Sequence, residues 1–395
     1  MVWLGLGAGH SDNVRRTVTR PDAGSFTALA VESDLDFESA RLALEFVADF
    51  ERRQYSIAGV EDETYGNGQL SFTIEALPDR VAWLVVDNYS QGRIDPFQVS
   101  SPLNRAGINV FLTGPQFNLP LGLRSLFRLT ALKGDRHTSD IPSLDSESRE
   151  AAAAYVRVVD NTTEFAVNFS TQEVEYDANG GDVDTKSAYL SYSKTLATGD
   201  AYVAIGSTRS ESTSRSSSTP YMNLSWSRAI GARSRFAINA VQQYVDFFDD
   251  FRLGSSSETV LGRDVYEQQL LAAVYAIEGS RNAFELRHST AKASYTTDPI
   301  LDYDESLFGV TFRRSLTPRM SIDVSFTASQ REFDREVRTD EISRWQLSLE
   351  KDLGRRFSLR ALYESRDDDN VLGEKVEDNV VRVFLRYAVT RAASS

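Results

Sequence analysis

Six arginines, Arg287, Arg313, Arg344, Arg360, Arg382 and Arg386, fall inside short runs that alternate apolar with polar residues. A guanidinium offers planar paired N–H donors that match carboxylate or phosphate. Gathered on one wall, such groups could select anions or hold acidic sugars. They could equally pair with Glu285, Asp323 and Glu350, which share their parity, and simply brace the wall. Tyr189, Tyr202, Tyr221 and Phe384 fall on that same parity and offer flat faces on which sugar rings could stack.

Other chemistry is sparse. The chain has three histidines, His10, His137 and His288, and no cysteine, so disulfides, thiolate zinc sites and a cysteine nucleophile are excluded. His288 is followed by Ser289, but neighbours on a strand point to opposite faces and cannot form a nucleophile–base pair. No catalytic residue is expected. The stretch DANGGDVD places Asp177, Asn179, Asp182 and Asp184 at a spacing that resembles a calcium loop. The downstream bidentate glutamate of that pattern is missing, so an acidic outer loop is expected, with Ca²⁺ bridging to lipopolysaccharide as the alternative.

The elements that carry these residues are strands. In NVVRVFLRYAV (379–389), Val381, Val383, Leu385, Tyr387 and Val389 form one face. Val380, Arg382, Phe384, Arg386 and Ala388 form the other. The same period of two recurs in FSLRALYES, RWQLSLE, MSIDVSFTAS, LFGVTFRR, YMNLSWS, EFAVNFS, QLSFTIEA and RLALEFVADF. The apolar face of these runs carries no Lys or Glu, as expected where it meets hydrocarbon rather than water.

Connections alternate in length. Short ones, such as ALPDR (76–80), LATGD (196–200) and DLGRR (352–356), carry turn residues. Between them lie long acidic segments: 56–68, 135–147, 248–258 and 364–378. The pattern predicts an all-β, transmembrane, antiparallel up-and-down barrel of about 20 strands, with short periplasmic turns and long acidic extracellular loops. It spans 1–389 as one domain, followed by a tail at 390–395. A soluble propeller would repeat a blade motif every 40 to 50 residues or so, and none is found. Trp3, Trp83, Tyr155, Tyr275, Tyr363 and Tyr387 are candidates for the aromatic girdles at the two membrane interfaces.

Composition agrees. The 395 residues include 43 basic and 57 acidic ones, a formal charge of −14 that disfavours nucleic acid as a partner. No run of 18 apolar residues occurs, which excludes a transmembrane helix and leaves a barrel open. Met1 leads directly into VWLGLGAG, which reads as a strand; an exported chain of this kind is expected to have lost its leader.

The segments GAGHSDNV (7–14), ALPDRVAWLVVDNYSQG (76–92) and SPLNRAGINVFLTGPQFNLPLG (101–122) resemble outer-membrane β-barrel proteins of exopolysaccharide and exosortase (PEP-CTERM) gene clusters. The matching positions are Asp12 and Asn13, then Arg80, Trp83 and Asp87, then Asn104 and Thr113 through Pro115. The resemblance covers roughly the first third of the chain and implies a bacterial outer-membrane location among lipids and lipopolysaccharide. The leading expectation for function is a porin-like conduit in exopolysaccharide export, with a polysaccharide-export or lipoprotein partner. The alternative is a scaffold that encloses or anchors a partner such as a lipoprotein, an appendage or a cytochrome, without transport. A barrel this wide leaks unless a loop or partner fills it, so an inward-folded outer loop is expected if no partner does.

Overall fold

A computed structural model describes residues 1–17, 21–57, 59–95, 97–98, 101–177, 182–212, 216–245, 265–296, 298–334, 338–370 and 374–390. The strands are β1 (Val2–Ser11), β2 (Gly24–Glu38), β3 (Leu42–Tyr55), β4 (Glu63–Leu77), β5 (Val81–Arg93), β6 (Arg105–Pro120) and β7 (Ser125–Thr138). Next come β8 (Ser146–Asp160), β9 (Thr163–Tyr176), β10 (Val183–Leu196), β11 (Gly199–Ser212), β12 (Ser216–Gly231), β13 (Ser234–Val245) and β14 (Tyr266–Glu278). The last are β15 (Asn282–Tyr295), β16 (Tyr303–Thr317), β17 (Met320–Phe333), β18 (Arg338–Asp352), β19 (Phe357–Asn370) and β20 (Glu374–Thr390).

Each strand pairs antiparallel with its chain neighbours, and β1 pairs with β20, closing a 20-stranded sheet on itself. Closure matters because hydrocarbon cannot hydrogen-bond an exposed strand edge. Nine connections of two to four residues lie on the rim that holds both chain ends, and ten connections lie on the other. The first rim is the periplasmic one. In the turn after β4, Asp79 takes a left-handed φ of 59°, a conformation that a short polar side chain tolerates.

Register divides every strand into an outward and an inward face. Outward-facing Leu4, Leu6, Leu29, Phe169, Leu190, Ile205, Leu271, Val383 and Leu385 are between 43 % and 69 % exposed. So continuous an apolar outer surface on a closed sheet has one stable surrounding, the lipid of the outer membrane. The protein is an outer-membrane β-barrel. Trp83, Tyr155, Tyr275 and Tyr387 lie on the outer face toward the short-turn rim. Tyr363 marks the opposite border, where the next outward residue is Ser365 and Tyr363 Oη donates to Asn379. Trp3 departs from the girdle assignment. The β1–β20 register slips between Val2 and Trp3, Trp3 pairs with inward-facing Ala388, and the Arg386 guanidinium lies 4.7 Å from its ring.

The long loops are shorter than their sequences suggest. The segment 364–378 is mostly strand, because β19 continues to Asn370 and β20 resumes at Glu374. Likewise β4 begins at Glu63, β7 runs to Thr138 and β8 starts at Ser146. Strand pairing is not confined to the bilayer. Above it the outward residues merely become polar, as in Ser365, Asp367 and Asp369 of β19, and a polar run reads as loop. The segment 248–258 and the tail beyond Thr390 lie outside the described residues.

Candidate functional site: the lumen wall

Most of the predicted arginines stand on the inner face, and carboxylates meet them there. Arg382 Nη1 donates to Glu51 at 2.7 Å and its Nη2 to Glu364 at 2.7 Å. Arg386 reaches Glu350 at 2.9 Å and Glu32 at 2.6 Å. Arg360 donates to Glu32 at 3.0 Å, and Arg344 donates through Nε and Nη2 to Glu364 at 2.8 and 2.5 Å. Arg313 pairs with Asp323. Arg287 faces the lumen from β15 and has no ion pair among the described residues. Toward the loop rim the ladder continues with Arg16–Asp378, Arg366–Asp368, Arg338–Asp340 and Arg331–Glu305.

Glycine makes this reach possible. Arg382 and Arg386 start on β20, and their partners Glu51 and Glu32 lie on β3 and β2, beyond β1. The inward face of β1 is Gly5, Gly7 and Gly9, which leaves the path open. Phe384 lies in this trough, where a Cβ on Gly7 would meet its ring at 2.5 Å. The ring packs with Phe26, Ala28 and Ala30 and is only 6 % exposed. Phe384 therefore offers no open face to a sugar, contrary to the sequence expectation: it fills the glycine trough at the barrel's closing seam.

Ten strands round the ring from β1, the wall at β11 faces the seam. Tyr189 and Tyr221 stack there with ring centroids 4.4 Å apart and an interplanar angle of 18°. Tyr202 stands on the adjoining inward position of β11, and all three are half-buried. Around them are hydroxyls and amides: Asn168 donates to Ser191 at 3.0 Å and Ser187 to Thr208 at 2.9 Å. Inward charges on β9, β11 and β13, namely Glu164, Asp200 and Arg235, stand near the short-turn rim.

The loop rim folds inward. Ile108, Val110 and Leu112 of β6 face into the barrel yet are at most 1 % exposed, because Leu144 from the β7–β8 connection packs on them. The β5–β6 connection crosses the mouth. Asn104 binds the backbone of Asp95 in both directions, at 2.8 and 2.9 Å, and so shapes this segment. The Phe97 carbonyl accepts from Arg338 Nη2 at 3.1 Å, and the Phe97 ring lies 5.5 Å from Phe333. Phe333 ends a file of rings, Tyr266, Tyr295, Tyr303 and Phe333, with successive centroids 5.1, 6.5 and 6.1 Å apart. Sequence reading missed this file. Its signal was an inward-parity aromatic at each strand–loop junction from β14 to β17.

The residues of the family resemblance are clasps. Asp12 accepts from the backbone N and Nδ2 of Asn379, both at 2.8 Å, and Asn13 Nδ2 donates to the Glu377 carbonyl at 3.0 Å. They tie the first loop to β20 at the seam. Trp83 Nε1 donates to Thr113 at 2.8 Å and Asn109 to Asp87 at 2.8 Å, joining β5 to β6 on the outer face. The Arg80 carbonyl accepts from the Asn118 N–H at 2.7 Å. The calcium-loop segment falls partly outside the described residues. Asp184 is on β10, paired with Glu173 and Glu211, and no group of three or more potential metal ligands occurs among the described residues. Asn179 lies outside the described residues. His288 faces outward and Ser289 inward, so strand alternation does separate them.

No protein-family model matches this chain, and no curated protein matches it in sequence. Solved structures similar to it include OccAB4 of Acinetobacter baumannii, at 7 % identity, covering 98 % of this chain and 96 % of that one, with a TM-score of 0.38. OccK2 (OpdF) of Pseudomonas aeruginosa in complex with glucuronate is 9 % identical over 98 % of both chains, with a TM-score of 0.41. The FrpB iron transporter of Neisseria meningitidis in its apoprotein form is 9 % identical, over 98 % of this chain and 81 % of that one, with a TM-score of 0.48. The class of the protein rests on its own geometry: an outer-membrane barrel, porin-like in build, with an apolar outside and a polar, charge-segregated inside.

Proposed function

We propose that this barrel is a conduit for saccharide chains, acting in exopolysaccharide export. The observation that carries the reading is the pairing of opposite walls inside one closed sheet. A stacked tyrosine face set among hydroxyls and amides stands across from a wall of guanidiniums and carboxylates. Tyrosine faces suit the apolar faces of sugar rings, while amides, hydroxyls and guanidiniums suit hydroxyl and carboxylate groups. The resemblance of segments 7–14, 76–92 and 101–122 to exopolysaccharide-cluster barrels supports export as the direction of transport.

Planar-bilayer recording on the full chain tests it. A steady open pore whose current falls when a neutral oligosaccharide is added supports the conduit. A sealed barrel that co-purifies in fixed proportion with a lipoprotein or other partner overturns it in favour of a scaffold.

A further inference from the structure

Inside the barrel, between β3 and β4 on one side and β18 to β20 on the other, lies a recess of about 360 Å³. It is large enough for one small ligand. Six guanidiniums line it: Arg16, Arg53, Arg105, Arg344, Arg366 and Arg382. Three carboxylates, Asp49, Glu51 and Glu364, line it with them. The partners of Arg16 and Arg366, which are Asp378 and Asp368, are not part of the lining, so donors outnumber acceptors on the surface a ligand would meet.

One of those donors is open to the lumen. Arg344 spends Nε and Nη2 on Glu364, its Nη1 has no partner among the described residues, and its side chain is 44 % exposed. Arg382 holds Glu51 and Glu364 with its terminal nitrogens, while its buried Nε has no partner. An incoming carboxylate oxygen can take the exposed Arg344 Nη1 in a charge-assisted hydrogen bond. Between the charges stand neutral groups matched to hydroxyls: Asn67, Ser90 and Gln346. One flank is the Tyr65 ring, with the Arg53 and Arg105 guanidiniums 4.2 and 5.6 Å from its centroid.

We infer that this recess is a binding site for the carboxylate-bearing sugar of an acidic glycan, a uronate unit. Its carboxylate meets Arg344, its hydroxyls meet the amides, and its ring lies by Tyr65. Inorganic phosphate would satisfy the guanidiniums and leave the amides and the ring unused, so it binds less well. The inference builds on the saccharide reading above and names the sugar class.

Calorimetry on the full chain in detergent tests it without requiring an open pore. Sodium glucuronate should bind saturably, with glucose and inorganic phosphate each at least roughly tenfold weaker, given the worth of a charge-assisted hydrogen bond. Arg344→Gln and, separately, Gln346→Ala should weaken glucuronate, and Leu271→Ala on the lipid-facing surface should not. Heat-modifiable mobility on gels checks that each variant has folded. Equal binding of phosphate and glucuronate, equal binding of glucose, or insensitivity to both recess substitutions overturns the site. A sealed barrel in bilayers that still binds glucuronate would sink the conduit and leave this inference standing; an open pore without glucuronate binding would do the reverse.

Discussion

The wall from β17 through the seam to β4 and the wall from β9 to β13 share alternating strands and one lumen, yet they are built on different terms. On the seam wall the arginines are buried. Arg382 and Arg386 are 7 % and 6 % exposed, and each holds two carboxylates from strands far apart in sequence. Charges so placed are tolerable only when paired. On the tyrosine wall the charges keep to the short-turn rim, and the three tyrosines above them are neutral and half-buried, so water can replace a lost partner. The difference teaches that charge at the seam is chiefly architecture: it straps β20 to β2 and β3 across a glycine trough. Only the seam wall's less buried members, such as Arg344, are open to solutes.

Reversing charge on the seam should therefore do far more than alter conductance. Arg382→Glu with Arg386→Glu would set two new carboxylates among Glu32, Glu51, Glu350 and Glu364. The expected result is loss of the heat-resistant barrel in outer-membrane fractions. Ser191→Glu on the opposite wall should assemble normally. Equal assembly of both variants would break the contrast. Next in size, Glu364→Gln removes a carboxylate shared by Arg344 and Arg382. Breaking a buried pair of this kind costs about 3–5 kcal/mol, readable in urea unfolding from lipid vesicles. Tyr221→Phe should change the same measurement by under about 1 kcal/mol, the scale of a single hydrogen bond.

Much of this was legible from residues alone. Alternation at 379–389 separated Val381, Val383 and Leu385 from Arg382 and Arg386, and the structure puts those sets outside and inside. The rhythm of short and long connections predicted the strand number, because each strand must cross the membrane once. Which carboxylate meets Arg382 was not legible, since Glu51 is 331 residues away in sequence and adjoins it only once the sheet closes. Phe384 was read as free because parity reports the side of a sheet, not what lies against it. Glycine at three successive inward positions of β1, Gly5, Gly7 and Gly9, was the available sign that something packs there. Trp3 was assigned to the girdle from its place near a strand end; alternation with outward Leu4 and Leu6 puts it inward, in line with Gly5, Gly7 and Gly9. The strands above the bilayer read as loop because their outward residues turn polar.

A smaller effect is expected at the mouth, where the walls meet the crossing segment. Arg338 donates to the Phe97 carbonyl and lies over the Phe97 and Phe333 rings at 5.0 and 5.3 Å. Arg338→Ala removes that tether and leaves Asp340 without its partner. Single-channel current should rise and become noisier, with the barrel still folded. An unchanged current would mean that the β5–β6 connection does not bound the pathway.

The smallest stability effect and the sharpest functional one should come from Tyr189→Ala. The substitution breaks the stack with Tyr221, worth about 0.5–1.5 kcal/mol, but strands no charge and opens no dry core, because both rings are half-buried beside water. Urea unfolding should shift by no more than that. Block of the current by a neutral oligosaccharide should weaken by roughly twofold to tenfold, the same free energy expressed as affinity. Salt separates the two walls in the same experiment. Block lost from the tyrosine wall should be indifferent to ionic strength, whereas glucuronate block through Arg344 should fall as salt rises. If neutral-sugar block proves salt-sensitive, or survives Tyr189→Ala intact, the tyrosine face is not the surface that sugars touch, and the division of labour between the walls is wrong.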